Sequence, residues 1–384
     1  MKKILFIDTW TQADRFISPL IKSFNKDKNI CCLLHCDSMF LNSRYSNLES
    51  INSFEYENFD LKDFNYSFDE ALSQINPDLV IFITVHGIVQ RWANFVIKQR
   101  EIPCYFYMHG IREDNPAVIK SSLPYKIKRL FFYTNVYKYI AKEFLKIKGL
   151  TIKNIFFILN YYKELIFFNH SYTNKPTINL GFDYNVMFLN HSKDEKYFRK
   201  NYPINSNVEF IVSGNISSVV PAIKSQELKL EKNCLLFISQ TEIYSNDNLT
   251  KLLTKLQEIA SHLGLEFIFR PHPRDVENID IARELNISIS KYSEIHDLAR
   301  TKVAAGLNSA LMLGYMSLNT HIIQIIDLVN LSLCNNLDYD NYSELNINDL
   351  NDYKKNDIKL KNDYKPILIN PVETIKNKIY YDFS

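Results

Sequence analysis

Short apolar runs alternate with amphipathic stretches from the third residue onward, and this alternation constrains the fold more than any other feature of the chain. Lys3–Asp8 is too short for a stable helix and reads as a buried strand. In 13–25, Phe16, Ile17, Leu20, Ile21 and Phe24 share one helical face. Ile30–His35 reads as a second strand. Phe68–Ile75 reads as a helix that stops before Asn76-Pro77-Asp78. Residues 79–84 form a strand ending at Val85-His86-Gly87, 89–99 a helix, and 103–108 a strand ending at His109-Gly110. Strands that alternate with helices imply a parallel sheet with right-handed crossovers.

The pattern then restarts. Residues 119–170 read as mostly helical, and 185–190 and 208–213 as the closing strands of the first half. Strand 233–239 ends at Gln240-Thr241-Glu242, and helix 248–263 follows with Leu249, Leu252, Leu253, Leu256 and Ile259 on one face. Strand 265–270 runs into Pro271-His272-Pro273-Arg274-Asp275. Residues 287–290 form a short strand and 293–301 a helix. Strand 302–305 leads through Gly306-Leu307-Asn308-Ser309 into the helix Ala310–Ser317, and His321–Ile326 is a further strand. Residues 335–363, rich in Asn, Asp, Lys and Tyr, read as polar loop with one helix, and Pro371–Phe383 as a terminal helix. At 384 residues the chain is long enough for two domains. The expected fold is α/β: two Rossmann-like domains facing a cleft, 1–220 and 221–384, with the seam near 213–228.

Composition removes several function classes. Hydrophobic residues make up 46 %, too many for a disordered chain. A net charge of +2 gives no general attraction to nucleic acid, and no nucleic-acid partner is expected. Charge is nonetheless uneven. Within 119–168, Lys120, Lys126, Lys128, Arg129, Lys138, Lys142, Lys146, Lys148, Lys153 and Lys163 are opposed by Glu143 and Glu164 alone, and aromatics interleave with them. Such a segment suits peripheral contact with an anionic membrane or an anionic acceptor, or is a helix pair with a solvated basic face. The six cysteines show no CxxC pair or zinc-ribbon spacing, which fits a reducing compartment. The N-terminal apolar run meets Asp8 at once and does not read as a signal peptide, and no eighteen-residue apolar stretch exists. The expected location is the cytoplasm, at the inner face of the membrane if the basic segment binds lipid.

Three patches carry chemistry. Phe267-Ile268-Phe269-Arg270-Pro271-His272-Pro273-Arg274 delivers a histidine at a strand end between two prolines. Proline fixes its own φ and keeps the preceding residue extended, so His272 sits in a stiff loop. Its imidazole can hydrogen-bond a leaving phosphate near neutral pH, while Arg270 and Arg274 favour an anion. In Ala304-Ala305-Gly306-Leu307-Asn308-Ser309-Ala310, small residues end a strand and polar ones open a helix. Free N–H groups and the helix dipole make that end an anion site, and Asn308 or Ser309 serves equally as the N-cap. Gln240 and Thr241 close the first strand of the second half, facing the same crevice or forming a solvated turn.

Arg270-Pro271-His272-Pro273, followed by Gly306-Leu307-Asn308-Ser309-Ala310, resembles the C-terminal half of GT-B glycosyltransferases. More narrowly it is similar to His-Pro enzymes of bacterial capsule and lipopolysaccharide assembly, sialyltransferase-like and Kdo-transferase-like. The resemblance implies that His272 contacts the phosphate of a CMP-linked sugar, that Ser309 at the helix start contacts the same phosphate, and that Gln240 lines the cleft. His109-Gly110 resembles a His-Gly on the acceptor side of such enzymes, and Val212-Ser213-Gly214-Asn215 resembles their domain seam. The implied partners are a nucleotide-sugar donor and an oligosaccharide or glycolipid acceptor, with no cofactor.

Two departures stand out. The usual Ser-Ser or Ser-Thr pair is Asn308-Ser309 here, and the acidic base motif is represented only by Arg112-Glu113-Asp114-Asn115. An inverting transfer needs a carboxylate base, for which Asp8, Glu113 and Asp114 are the candidates and Asp114 is preferred. Asp338-Tyr339-Asp340 has the spacing of a metal site but lies in a polar loop, so no metal is expected. Two alternatives stay open: a CDP-glycerol or CDP-ribitol phosphotransferase using His86 or His109 as a second histidine, and a non-catalytic binding protein.

Overall fold

The computed structural model describes residues 2–8, 17–27, 29–39, 57–84, 87–108, 133–167, 181–239, 245–272, 277–307, 309–326, 334, 337, 339–348, 350, 358 and 369–383. The chain divides into two compact units, Met1–Ser213 with Val372–Ser384, and Gly214–Pro371.

The first unit carries a seven-stranded sheet: β1 (Lys3–Asp8), β2 (Ile30–His35), β3 (Glu57–Asp60), β4 (Leu79–Phe82), β5 (Cys104–Tyr107), β6 (Val186–Leu189) and β7 (Glu209–Val212). Its order is β3-β2-β1-β4-β5-β6-β7, and every pairing is parallel. The chain winds outward from β1 in both directions, so the order reverses between β1 and β4. Helices α1 (Ser18–Lys26), α2 (Phe68–Ile75), α3 (Ile88–Gln99), α4 (Thr134–Lys148), α5 (Ile152–Phe167) and α6 (Lys193–Asn201) accompany it. Leu5, Ile7, Val80, Phe82 and Phe106 pack in one core with Leu72 of α2 and Trp92 and Val96 of α3. Glu143 of α4 enters that core with its oxygens occupied. Oε1 accepts from the Ser67 hydroxyl at 2.8 Å and from the Asp69 N–H at 2.7 Å, and Oε2 from the Trp92 indole at 2.6 Å. It thereby supplies the start of α2 with an acceptor from another helix.

The second unit repeats the plan with six parallel strands: β8 (Cys234–Ile238), β9 (Glu266–Arg270), β10 (Ser288–Ile289), β11 (Thr301–Gly306), β12 (His321–Ile326) and β13 (Tyr342–Asn346), in the order β10-β9-β8-β11-β12-β13. Its helices are α7 (Ile216–Ser225), α8 (Asn246–His262), α9 (Glu277–Glu284), α10 (Glu294–Arg300) and α11 (Ala310–Ser317). The face of α8 expected from sequence is buried: Leu249, Leu252, Leu253, Leu256 and Ile259 pack against Leu235, Phe237 and Phe269. Ser245, Ser293 and Ser309 cap α8, α10 and α11 through their hydroxyls, which is why each helix starts where it does.

Two strands depart from the sequence reading. Strand β3 was not expected, and β13 occupies part of the stretch read as loop. Both are sheet edges, where polar side chains are tolerated and the apolar signal fades. Helix α7 lies wholly in the second unit, packed against α10 and α11. The terminal helix α12 (Pro371–Phe383) returns its residues from Val372 onward to the first unit. There Lys376 pairs with Asp27 and Lys378 with Glu209, each at 2.7 Å, and Tyr105 donates to Asp382.

Candidate functional site

In the second unit the strand order reverses between β8 and β11, the point at which sheets of this kind bind ligands beyond their carboxyl ends. Register is explicit there. Ile238, the last residue of β8, lies opposite Arg270 of β9 on one side and Gly306 of β11 on the other, and Gly306 lies opposite Gln324 of β12. The row Arg270, Ile238, Gly306, Gln324 therefore crosses the sheet at its carboxyl edge. Adjacent strands sit about 4.8 Å apart, so the ends of β9 and β11 are roughly 10 Å from each other. The Pro271-His272 exit and the Gly306-Leu307 exit leave the same sheet edge close enough for one ligand to touch both.

Each exit is built differently. Beyond β9, His272 is partly buried. Arg270 points to α10: its guanidinium donates to the Asp297 carboxylate, which also accepts from the Ser290 hydroxyl at 2.6 Å. Asp297 is 1 % exposed, and Arg300 approaches it at 3.9 Å. Arg270 thus anchors a buried carboxylate through one guanidinium nitrogen, and removing it would leave that charge poorly matched.

Beyond β11, Gly306 has little room. A Cβ there would lie 3.2 Å from the Met312 sulfur and 3.4 Å from the Ile238 carbonyl oxygen. Ser309 caps α11, its hydroxyl accepting from the Leu311 N–H at 3.3 Å. Further along α11, Tyr315 is fully buried, and that burial pushes its phenol up. Among the described residues no three of His, Cys, Asp and Glu gather as a metal site.

Of the residues expected here, the sheet brings Arg270, His272, Gly306 and Ser309 to one edge. Gln240, Thr241, Pro273, Arg274 and Asn308 lie outside the described residues, as do His86, His109, Gly110, Glu113 and Asp114. Asp8 is the last residue of β1, at the carboxyl edge of the first sheet.

Two residues escaped the sequence reading. Gln324 is fully buried, and its amide donates to the Gly306 and Leu307 carbonyls at 3.3 and 3.2 Å. Its carbonyl accepts from the Cys334 N–H at 3.4 Å, so it braces the turn that leads to Ser309. The signal was a lone amide in the apolar strand His321–Ile326. Asn278 in the first turn of α9 donates to the Ser239 hydroxyl at 3.4 Å and ties that helix to the end of β8.

No protein-family model matches the chain, and no curated protein matches it. Solved structures do. A protein of Listeria monocytogenes assigned as a UDP-N-acetylglucosamine 2-epimerase matches all of this chain and 96 % of its own, at a TM-score of 0.58 and 10 % identity. UDP-GlcNAc 2-epimerase from Neisseria meningitidis, solved with UDP-GlcNAc, matches 99 % of this chain and 100 % of its own, at 0.56 and 12 %. S. aureus MnaA, solved with UDP, matches 100 % and 97 %, at 0.53 and 12 %. At such identities the likeness is one of fold, and it spans both units. The chain has the two-domain α/β GT-B fold on which those UDP-sugar proteins are built.

Proposed function

We propose that this chain is a nucleotide-sugar enzyme whose second unit holds the donor and whose first unit holds the acceptor. The observation that carries the reading is the register row at the carboxyl edge of the second sheet. It gives the His-Pro exit and the Ser-capped start of α11 a common edge at the switch point. Helix N–H groups and a serine hydroxyl suit a phosphate, and an imidazole beside them can stabilise it as it leaves. In this reading His272 supports the leaving phosphate, Ser309 and Asn308 bind it, and Arg274, Gln240 and Thr241 line the donor pocket. Asp114 takes the acceptor proton, with His109, Gly110 and Glu113 beside it.

The finer assignment is transfer of a CMP-activated ulosonic acid, sialic acid or Kdo, to a bacterial surface glycan or glycolipid, with peripheral membrane contact through 119–168. It rests on the resemblance of Arg270-Pro271-His272-Pro273 to the His-Pro transferases. A second reading, 2-epimerisation of UDP-GlcNAc, is favoured by the whole-chain fold match to the epimerases.

One assay separates them. The purified chain is incubated with CMP-sialate, CMP-Kdo and UDP-GlcNAc, each with and without a glycan acceptor, and products are resolved by mass and by sugar configuration. The transferase reading expects nucleotide release that depends on acceptor, lowered about 100-fold or more by His272→Ala. Conversion of UDP-GlcNAc to its 2-epimer without acceptor decides for the second reading. Turnover unchanged in His272→Ala removes this site from either.

A further inference from the structure

The first unit carries an exposed apolar surface that the catalytic reading does not use. Helices α4 and α5 form an antiparallel hairpin: Phe144 stacks on Phe157 at 5.1 Å, and Tyr162 donates to the Tyr137 carbonyl. Ile158 and Tyr161 face the core. On the opposite side Ile152, Ile155, Phe156 and Leu159 are 74, 40, 61 and 56 % exposed. Their i, i+3, i+4, i+7 spacing makes one stripe along α5. Leu150, 75 % exposed, extends the stripe onto the turn.

The turn that presents them is well bonded. The Gly149 N–H donates to the Leu145 carbonyl at 2.9 Å, and the Asn154 side chain to the Lys148 and Gly149 carbonyls at 3.0 and 2.8 Å. The Thr151 hydroxyl accepts from the Asn154 N–H at 3.2 Å and caps α5. Leu150 and Ile152 are therefore held outward by a formed turn.

Charge selects the occupant. Lys138, Lys142 and Lys153 are exposed on this hairpin, as are Lys146, which pairs with Glu70 of α2 at 3.4 Å, and Lys148, which donates to Gln99 of α3 at 2.6 Å. Its one acidic residue between 134 and 162, Glu143, is buried and saturated by three donors. Protein interfaces are depleted in lysine at their centre, whereas an anionic bilayer rewards lysines around an inserted apolar tip. A projecting turn also needs a carved groove in a protein partner and none in lipid.

We infer that the α4–α5 turn is a membrane-docking tip: the stripe from Leu150 to Leu159 enters the acyl boundary of an anionic bilayer and the lysines meet its headgroups. The inference rests on the membrane contact proposed for 119–168 and narrows it to one surface, whatever the donor.

The full chain is floated without nucleotide on vesicles of phosphatidylcholine, with or without phosphatidylglycerol. Wild type is expected to float with the anionic vesicles and to be released by salt. The pairs Ile152→Ser/Phe156→Ser and Lys142→Gln/Lys153→Gln should each lower partitioning roughly tenfold or more. All four side chains are exposed, so an unchanged urea midpoint checks that the variants fold. Absence of flotation, flotation unchanged in the apolar pair, or flotation indifferent to salt and to the lysine pair would overturn the inference. So would a dimer that the apolar pair dissolves in a protein with no vesicle binding, which assigns the stripe to a second copy. Nucleotide turnover on a soluble acceptor is read separately, so failure here leaves the catalytic reading intact and the converse also holds.

Discussion

His321 shows how a single position in the sheet sets a pH dependence. It opens β12, is buried, and its ring nitrogens meet the Asn341 side chain at 3.1 Å and the Ser343 hydroxyl at 3.2 Å. Burial, opposed only by the Asn341 contact, lowers its pKa below the ordinary 6.5. The unfolded chain therefore binds this proton more readily than the folded one. The contribution to stability is complete above pH 6.5 and is lost as pH falls through the depressed folded value. Urea midpoints measured from about pH 7.5 down to about pH 5 should drop for wild type and drop less steeply for His321→Gln. Equal slopes would show that another group controls the acid limb. Arg270 gives a second lesson at this scale. The sequence sets it two residues from His272, and the fold turns its guanidinium to Asp297 of α10. Adjacency along the chain does not report which way a side chain leaves a strand.

Among the elements, α11 does the most. It starts at a candidate phosphate position and packs its body against α7. Gly314 makes that packing possible: a Cβ there would lie 2.9 Å from the Ser218 carbonyl oxygen and 3.3 Å from Leu298. Backbone of another helix cannot yield as a flexible side chain can. Gly314→Ala should cost about 1–3 kcal/mol despite the better helix propensity of alanine. Denaturant unfolding measures this, and a neutral or stabilising outcome would mean the two helices separate without penalty. Most central strands and helices were legible because a fully apolar run or a 3.6-residue stripe admits few readings. The helices Phe68–Ile75 and Ala310–Ser317 fall where the sequence places them. Edge strands β3 and β13 were not legible, because Glu57–Asp60 and Tyr342–Asn346 keep polar side chains that only their neighbours in the sheet explain.

For the molecule as a whole, the C-terminal helix tests the division into units. Residues 372–383 follow the second sheet in sequence but bond to the first. Tyr380 accepts from Asn29 at 3.1 Å, and Lys378 bridges Glu209 and Asp382, each at 2.7 Å. Val372, Ile375 and Ile379 are buried. Deleting 371–384 should destabilise the first unit by several kcal/mol, about 2 for each buried aliphatic lost, and leave unfolding of the second unit nearly unchanged. Hydrogen exchange resolved by segment would show it, and uniform loss of protection would refute it. Chain order by itself determined that this protein is α/β with two repeats of a parallel plan, since strand and helix periods are local properties. It also determined that a proline-flanked histidine and a serine-opened helix follow strands of the second repeat. Only tertiary structure decided that Ile238 stands between Arg270 and Gly306, that Gln324 braces the turn before Ser309, and that the last helix crosses back. Those facts depend on which strands pair and in what register, and pairing energies are summed over neighbours far apart in the chain.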